Sequence, residues 1–421
     1  MARESRKRST GLPRLPKPVE TIELEEGNSS RRLWIICGLL ALSAALIFYA
    51  VSTLLRGESG YSVIEPSCEE PGAGQELTLN YCLGMSGSSP RLESREIALI
   101  YSTACDYIYR LLDPSQEYGS VKNLALLNNN PNETVSVDPE LYSVLELIEA
   151  SGTRSVYLSP LLIDYYNLFA SSWDYEAMEF DPAFSSSQEG YFSEAASYIN
   201  SREHIRLELE GEGRVRLLVS EEYLDFAEQN GIDEYIDLYQ LKNAFTLDYL
   251  AGILRDAGYT YGYITSSEGY IVNLDDRSGE PHSISLIDYQ EGAIKGAATV
   301  SYSSPVCGLY LRSFPSGELD GMRFYEYENG EIRTPYINPA TGLCSDEISG
   351  IILGSREKSC SELAIAALEL LSGGTAGEDA YSGSFSGEDG MIILSGSKIE
   401  LYGGIFEIGT VTEGYSLEEV K

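Results

Sequence analysis

The sequence predicts an α+β fold preceded by one N-terminal transmembrane helix, and three observations point there. Leu33 to Leu55 is an apolar run without a single charged residue. Downstream, several segments repeat apolar residues at helical spacing, and others are short runs rich in Ile, Leu and Tyr between Gly and Ser turns. Helical and strand-like segments of both kinds therefore share one long folded region, residues 92–410.

Composition narrows the partners. The 421 residues have room for two or three average domains or one large one. Against 65 Asp plus Glu stand 29 Lys plus Arg, for a formal net charge of −36, so no broad basic surface can form and a nucleic-acid partner is excluded. An anionic dinucleotide would need backbone N–H groups, a metal ion or a few local cations. With only 2 histidines, His204 and His282, a Ser-His-Asp triad or a His-based metal site lacks parts. The 31 tyrosines suit half-buried strands and ring stacking.

Residues 1–32 carry Arg and Lys between prolines, show no apolar period and read as a disordered basic tail. At about 1.5 Å per residue, residues 33–55 span a hydrocarbon core of roughly 30 Å. The basic flank predicts a cytoplasmic N-terminus, with everything after Arg56 extracytoplasmic on a single-pass membrane protein. Residues 56–91, rich in Gly, Ser, Pro and Glu, read as a stalk. Six cysteines outside the anchor permit three disulfides and are too scattered for zinc. Cys68 with Cys82 is the expected pair, and a free buried thiol at Cys105 is the alternative.

Ile97 to Leu112 predicts a helix ended by Asp113-Pro114, and Leu141 to Ala150 a second, capped by Asp138 with Pro139 in its first turn. Trp173 to Ser187 reads as an acidic surface loop, and Tyr191 to Asn200 as helical. Ile205 to Glu210 and Val215 to Val219 alternate around Gly211-Glu212-Gly213, a β-hairpin. Glu221 to Asn230 is a helix closed by Gly231. Leu241 to Leu254 forms another, ended by Gly258, before strands at Tyr261 to Ile264 and Tyr270 to Leu274. The pair Asp275-Asp276 is a solvated turn, and Gly292 to Gly296 lacks P-loop spacing and reads as a hairpin turn.

Asn338-Pro339-Ala340-Thr341-Gly342 is a tight turn by composition. Ile348 to Leu353 behind it is strand-like, and Leu363, Ala366, Ala367 and Leu370 mark a helix. Ser359 or Ser361 can cap that helix, with Glu362 near the positive end of its dipole. Residues 372–390 read as a flexible Gly/Ser connection and residues 411–421 as an exposed tail. Three short strands lie between, at Met391 to Leu394, Ile399 to Tyr402 and Ile405 to Ile408.

This order resembles the ApbE-type FAD:protein FMN transferases. Cys307, Gly308, Tyr310 and Arg312 fit the family's Ser-Gly-x-Tyr-x-Arg segment with Cys for Ser. Asn338, Pro339, Thr341 and Gly342 fit its Asp-Pro-x-Thr-Gly turn with Asn for Asp, and Pro335 stands where the family has His. Asp237, Leu238, Phe245 and Asp248 fit its Gly-rich helix entry, where Tyr239 and Gln240 replace two glycines and Asn243, beside Lys242, takes the Lys position. Ser267-Glu268-Gly269 stands at Gly-Gly-Asp, and Ser361, Glu362 and Ala366 stand at the Ala, Asp and Thr of the last helix start.

The resemblance implies a substrate FAD bound with Mg²⁺ on its pyrophosphate, and transfer of FMN to a Thr or Ser of a redox partner protein as AMP leaves. It implies that Asn338, Thr341 and Lys242 stand at catalytic positions. Asp237, Asn243, Ser267, Glu268, Tyr310, Arg312 and Gly342 would bind the cofactor, and Glu362 the metal. The replaced residues open a second reading, a catalytically degenerate scaffold that binds flavin, another ligand or a protein partner.

Overall fold

The computed structural model describes residues 29–56, 59–274, 281–303, 307–317, 323–373 and 388–420. Two units divide after Gly57. In the first, helix α1 runs Ser29–Arg56, and its described side chains, Leu33 to Tyr49, are all exposed. Among the described residues no helix is long and apolar enough to cross a membrane. The basic tail ahead of Ser29 lies outside the described residues, as do Asp275-Asp276 and most of the Gly/Ser connection.

The second unit is built on a nine-stranded sheet whose order in space is its order along the chain. The strands are β1 (Gly60–Ile64), β2 (Leu77–Leu83), β3 (Gly262–Ser266), β4 (Tyr270–Asn273), β5 (Cys307–Arg312), β6 (Gly350–Ser355), β7 (Asp389–Ser395), β8 (Lys398–Gly403) and β9 (Ser416–Val420). Every neighbouring pair is antiparallel except β8 with β9. The helices of this unit are α2 (Pro90–Leu111), α3 (Leu124–Asn128), α4 (Pro139–Ser151), α5 (Ser159–Ala170), α6 (Asp174–Phe180), α7 (Ser186–Ile199), α8 (Glu221–Asn230), α9 (Lys242–Asp256) and α10 (Cys360–Gly373).

Both faces of the sheet are covered, which explains the uninterrupted apolar reading of its centre. Strand β6, Gly-Ile-Ile-Leu-Gly-Ser, is buried at every position. Side chains alternate across a strand. Ile351 and Leu353, with Met391 and Ile393 of β7, therefore enter the core shared with α2, α9 and α10. Ile352, Ile392 and Leu394 enter a second core under a three-stranded sheet, Pro281–Gln290, Ala293–Ser303 and Glu407–Val411. The turn between the first two of these strands, at Glu291 and Gly292 with φ of 55° and 75°, is the expected hairpin.

Local signals place their elements well. Pro139 opens α4, Gly231 closes α8 with φ 67°, and the Ser220 side chain accepts from Tyr223 N. Asp138 precedes α4 without a side-chain capping bond.

Three expectations are corrected. The stretch 56–91 is no stalk from Gly60 onward: it supplies β1 and β2, and β2 pairs with β3. The chain after β1 is tied to α2, where Asp106 accepts from Glu69 N and Glu70 N at 2.9 Å. Glu93, fully buried on α2, accepts from Gly84 N and Ser86 N just beyond β2. Second, the tail past Val411 carries β9, which adds to β8. Third, the acidic aromatic loop holds α6, fixed as Asp174 accepts from Tyr325 Oη and Glu328 N.

All seven cysteines are free thiols, and Cys82 faces Tyr61 across β1 and β2 instead of pairing with Cys68.

A chain beginning at Arg91 should therefore lose cooperative thermal unfolding, whereas one beginning at Glu58 should keep it. Sharp, coincident melting of the two by circular dichroism would refute the assignment of β1 and β2 to the core.

Candidate functional site

The entry to α9 holds one of the four non-Gly residues at positive φ among the described residues. Tyr239 sits at φ 45°, in the left-handed region that favours glycine. Asp237 holds it there: its Oδ1 accepts from Tyr239 N at 2.8 Å, while Asp237 N donates to Val156 O. The Tyr239 ring meets Tyr166 edge-on with centroids 6.0 Å apart. Burial raises the Asp237 carboxyl above its ordinary range, opposed by the Tyr239 N–H and the Lys242 charge.

At the second residue of α9, Asn243 joins a charge cluster drawn from four parts of the chain. Its Nδ2 donates to Glu76 and, at 3.0 Å, to Glu268. The Arg323 guanidinium lies 2.8 Å from Glu76 Oε1 and 3.4 Å from Glu268 Oε1, and it donates to Ser267 Oγ at 3.3 Å. Glu268 is 9% exposed in its side chain, and burial pushes its carboxyl up to about 7. The neighbouring Glu76 charge adds to that, and Arg323 and Asn243 oppose it.

Arg312 lines a narrow cleft with Gln240, Glu268, Arg323, Pro335 and Tyr336. Gly269 closes the β3–β4 hairpin at φ 115°, where a Cβ would come 2.0 Å from Tyr310 O, so only glycine fits.

Beside this cluster opens a cavity of about 280 Å³. Lys242, Asn243 and Thr246 of α9 form one wall, Cys105, Ile108 and Tyr109 of α2 another, and residues 72–77 a third. The Lys242 ammonium stands 4.7 Å over the Tyr109 ring, a cation–π contact at the cavity wall.

The remaining expected residues lie elsewhere or serve the fold. Asn338 Oδ1 accepts from Ala340 N, Thr341 Oγ1 accepts from Leu343 N, and Gly342, φ 74°, donates from its N–H to Asn338 O. That turn packs on Leu161 and Phe192, and none of its residues lines the Lys242 cavity. Tyr310 Oη bridges to Ile287 N at 2.9 Å and Ile287 O at 3.2 Å, joining β5 to the smaller sheet.

Among solved structures, the chain is similar to the ApbE protein from Thermotoga maritima MSB8, at 13% identity over 83% of this chain and 97% of that one, with a TM-score of 0.54. It is also similar to the flavin transferase ApbE from Vibrio cholerae, at 14% identity over 85% of this chain and 98% of that one, with a TM-score of 0.52. This is an ApbE-like fold. No family model and no curated protein matches the chain.

Within the ApbE-like fold, the start of α10 is where the resemblance implies a metal, and its carboxylates accept hydrogen bonds from the helix start. Asp248, reaching over from α9, accepts from Cys360 N at 2.9 Å, Ser361 N at 2.8 Å and Ser361 Oγ at 2.7 Å. Glu362 Oε2 accepts from Ser359 N at 2.8 Å and Ser359 Oγ at 3.0 Å, while Glu362 N donates to Ser359 Oγ, a capping box. Ala366 offers no side-chain oxygen. Among the described residues no three His, Cys, Asp or Glu side chains gather to hold a metal ion. These residues do not fit a Mg²⁺ site, because a hard cation needs several free oxygen ligands.

Sequence reasoning had already matched Lys242, Asn243, Ser267, Glu268 and Arg312, which lie at or beside the cavity and cluster. It missed Glu76, Tyr109 and Arg323. Arg323 and Glu76 are 247 residues apart, and no local pattern ties them.

Two outcomes follow. Glu268 has a folded-state pKa near 7 against an ordinary 4.5. Its contribution to stability is complete below about 4.5 and is lost as pH rises through about 7, by up to about 3 kcal/mol. Urea unfolding at pH 5 and pH 8 should show Glu268→Gln with a smaller loss of stability between the two pH values than wild type, and equal losses would refute the shift. At Tyr239, every smaller residue loses a ring packed on the main core, but glycine alone also relieves about 1 kcal/mol of left-handed strain. Tyr239→Gly should thus be about 1 kcal/mol more stable than Tyr239→Ala, and Tyr239→Val less stable than Tyr239→Gly. The reverse order in chemical denaturation would overturn this account.

Proposed function

We propose that this chain binds a flavin nucleotide noncovalently in the cavity beside Lys242 and does not transfer FMN. The observation that carries the reading is the cavity itself, about 280 Å³, with one ammonium and one aromatic ring on its walls. That volume lies at the lower edge of small-molecule sites, which run from about 300 Å³ upward. Lys242 would meet phosphate charge and Tyr109 would face the ring system. Similarity to a protein named flavin transferase supports a flavin as the ligand class.

Three features favour binding without transfer. Metal-assisted FMN transfer, as the resemblance implies it, requires charge neutralisation on a pyrophosphate. The Asp248 and Glu362 carboxylates instead accept from backbone N–H groups at the start of α10. At the Gly-rich entry, the Tyr239 and Gln240 side chains occupy space that two glycines would leave open to a dinucleotide backbone. Pro335, which lines the Arg312 cleft, carries no acid or base.

Flavin fluorescence should report saturable binding of FMN or FAD to the chain, unaffected by Mg²⁺ and weakened about tenfold or more in Lys242→Ala. No AMP should be released from FAD in the presence of a Thr- or Ser-containing acceptor. Magnesium-dependent AMP release, lost in Glu362→Gln, would restore the transferase reading with its redox-protein acceptor. Absence of binding at millimolar flavin would remove both readings.

A further inference from the structure

We propose that Cys68 with Cys105, and Cys307 with Cys360, close into two disulfides when the folded chain meets a glutathione-type disulfide oxidant. The proposal stands apart from the flavin reading, since it rests on where four thiols lie.

The first pair is set by the chain that follows β1. Ser67 N donates to Ser102 Oγ at 2.7 Å, and Glu69 N and Glu70 N donate to Asp106 at 2.9 Å. Cys68 is thus clamped on both sides against the face of α2 that carries Cys105. Its Sγ lies 3.9 Å from Ser102 O, on the same turn of α2 as Cys105, and each thiol perturbs the ionisation of the other. Cys105 is buried, and Cys68 is half-buried and reachable.

The second pair is set by the sheet. Cys307 opens β5 opposite Ser355 of β6. Ser355 Oγ accepts from Glu357 N at 3.0 Å and Lys358 N at 2.9 Å, turning the chain towards α10. Asp248 then holds Cys360 by its N–H at 2.9 Å, and the Cys307 thiol stands near enough to Cys360 to raise its pKa further. Cys307 is half-buried and Cys360 buried, the same arrangement of one accessible and one enclosed sulfur.

The chemistry balances with one oxidant per pair. The thiolate of the accessible cysteine attacks glutathione disulfide and releases one glutathione, leaving a mixed disulfide. The enclosed cysteine, once deprotonated, attacks the protein sulfur of that bond and releases the second. Two electrons and two protons pass from the thiol pair to form two glutathiones. Burial raises the Cys68 and Cys105 thiols above their usual range, so closure of that pair quickens as pH rises.

Closure of the first pair has a consequence for the cavity. The chain four residues ahead of Gly72, where one wall begins, would be stapled to α2, which supplies Cys105, Ile108 and Tyr109 as another.

The test uses the full chain, incubated with oxidised glutathione, alkylated in denaturant without reduction, digested and mapped by mass spectrometry. Cross-linked peptides joining Cys68 to Cys105 and Cys307 to Cys360 are expected, with Cys82 and Cys344 alkylated. A link between Cys68 and Cys82, or full alkylation of all four proposed cysteines, would overturn the assignment. The oxidised chain should melt about 5 °C above the reduced one. That difference should shrink in Cys68→Ser and persist in Cys82→Ser, and an equal effect of the two substitutions would also count against the pairing.

Discussion

The constraint on which the rest of this molecule depends is that its nine-stranded sheet is covered on both faces. A sheet with one wet face would alternate apolar and polar residues. The central strands β6 and β7 cannot, because Ile351 and Leu353 point towards the helices while Ile352 points towards the smaller sheet. Burial at both faces also fixes register, since a slip by one residue would exchange two cores of different shape. The rows of the sheet thereby set where β3, β4 and β5 end. The Ser266 to Gly269 hairpin, the first residues of α9 and the loop before β2 meet there, and they carry the charge cluster.

That cluster shows how a strongly acidic chain places carboxylates inside. Glu268 is nearly enclosed, so its charged form loses hydration, and Arg323 recovers only part of the loss while serving Glu76 as well. Asp181 meets the same problem more fully: 2% exposed in its side chain, it accepts from Arg333 Nε at 2.6 Å and from Tyr327 Oη at 2.8 Å. Arg333 also reaches Glu331 at 3.2 Å, so each of these guanidiniums faces one enclosed and one exposed carboxylate.

Much of the fold was legible because its signals are local. Pro139 at a helix start, Gly231 at a helix end, the Ser266 to Gly269 hairpin and the Asn338 to Gly342 turn each declare themselves within five residues. What misled was context. β1 is Gly-Tyr-Ser-Val-Ile, set among Gly, Pro and Glu, and only its pairing with β2 makes it a strand. The segment Trp173 to Ser187 has loop composition, and α6 forms because Tyr325 and Glu328, far along the chain, bind Asp174. At the site the difference is sharper. Lys242 and Asn243 could be matched by their place in a pattern, whereas Glu76, Tyr109 and Arg323 come together only through tertiary packing.

At the start of α10 in this ApbE-like fold, hydrogen bonding and cation binding would draw on the same carboxylates. A helix N-terminus presents unpaired N–H groups and half a positive charge, and either a carboxylate or an anion bridged by a metal can satisfy them. Here two carboxylates do so, Asp248 from the neighbouring helix and Glu362 from within the same one. Each bond that stabilises the helix removes an oxygen lone pair from any cation. The Asp248 bonds also tie α9 to α10, so freeing that carboxylate for metal would loosen the contact between the two helices that frame the main core. Fold stability and metal binding therefore compete for the same oxygens, and in this chain the hydrogen bonds assign them to the fold.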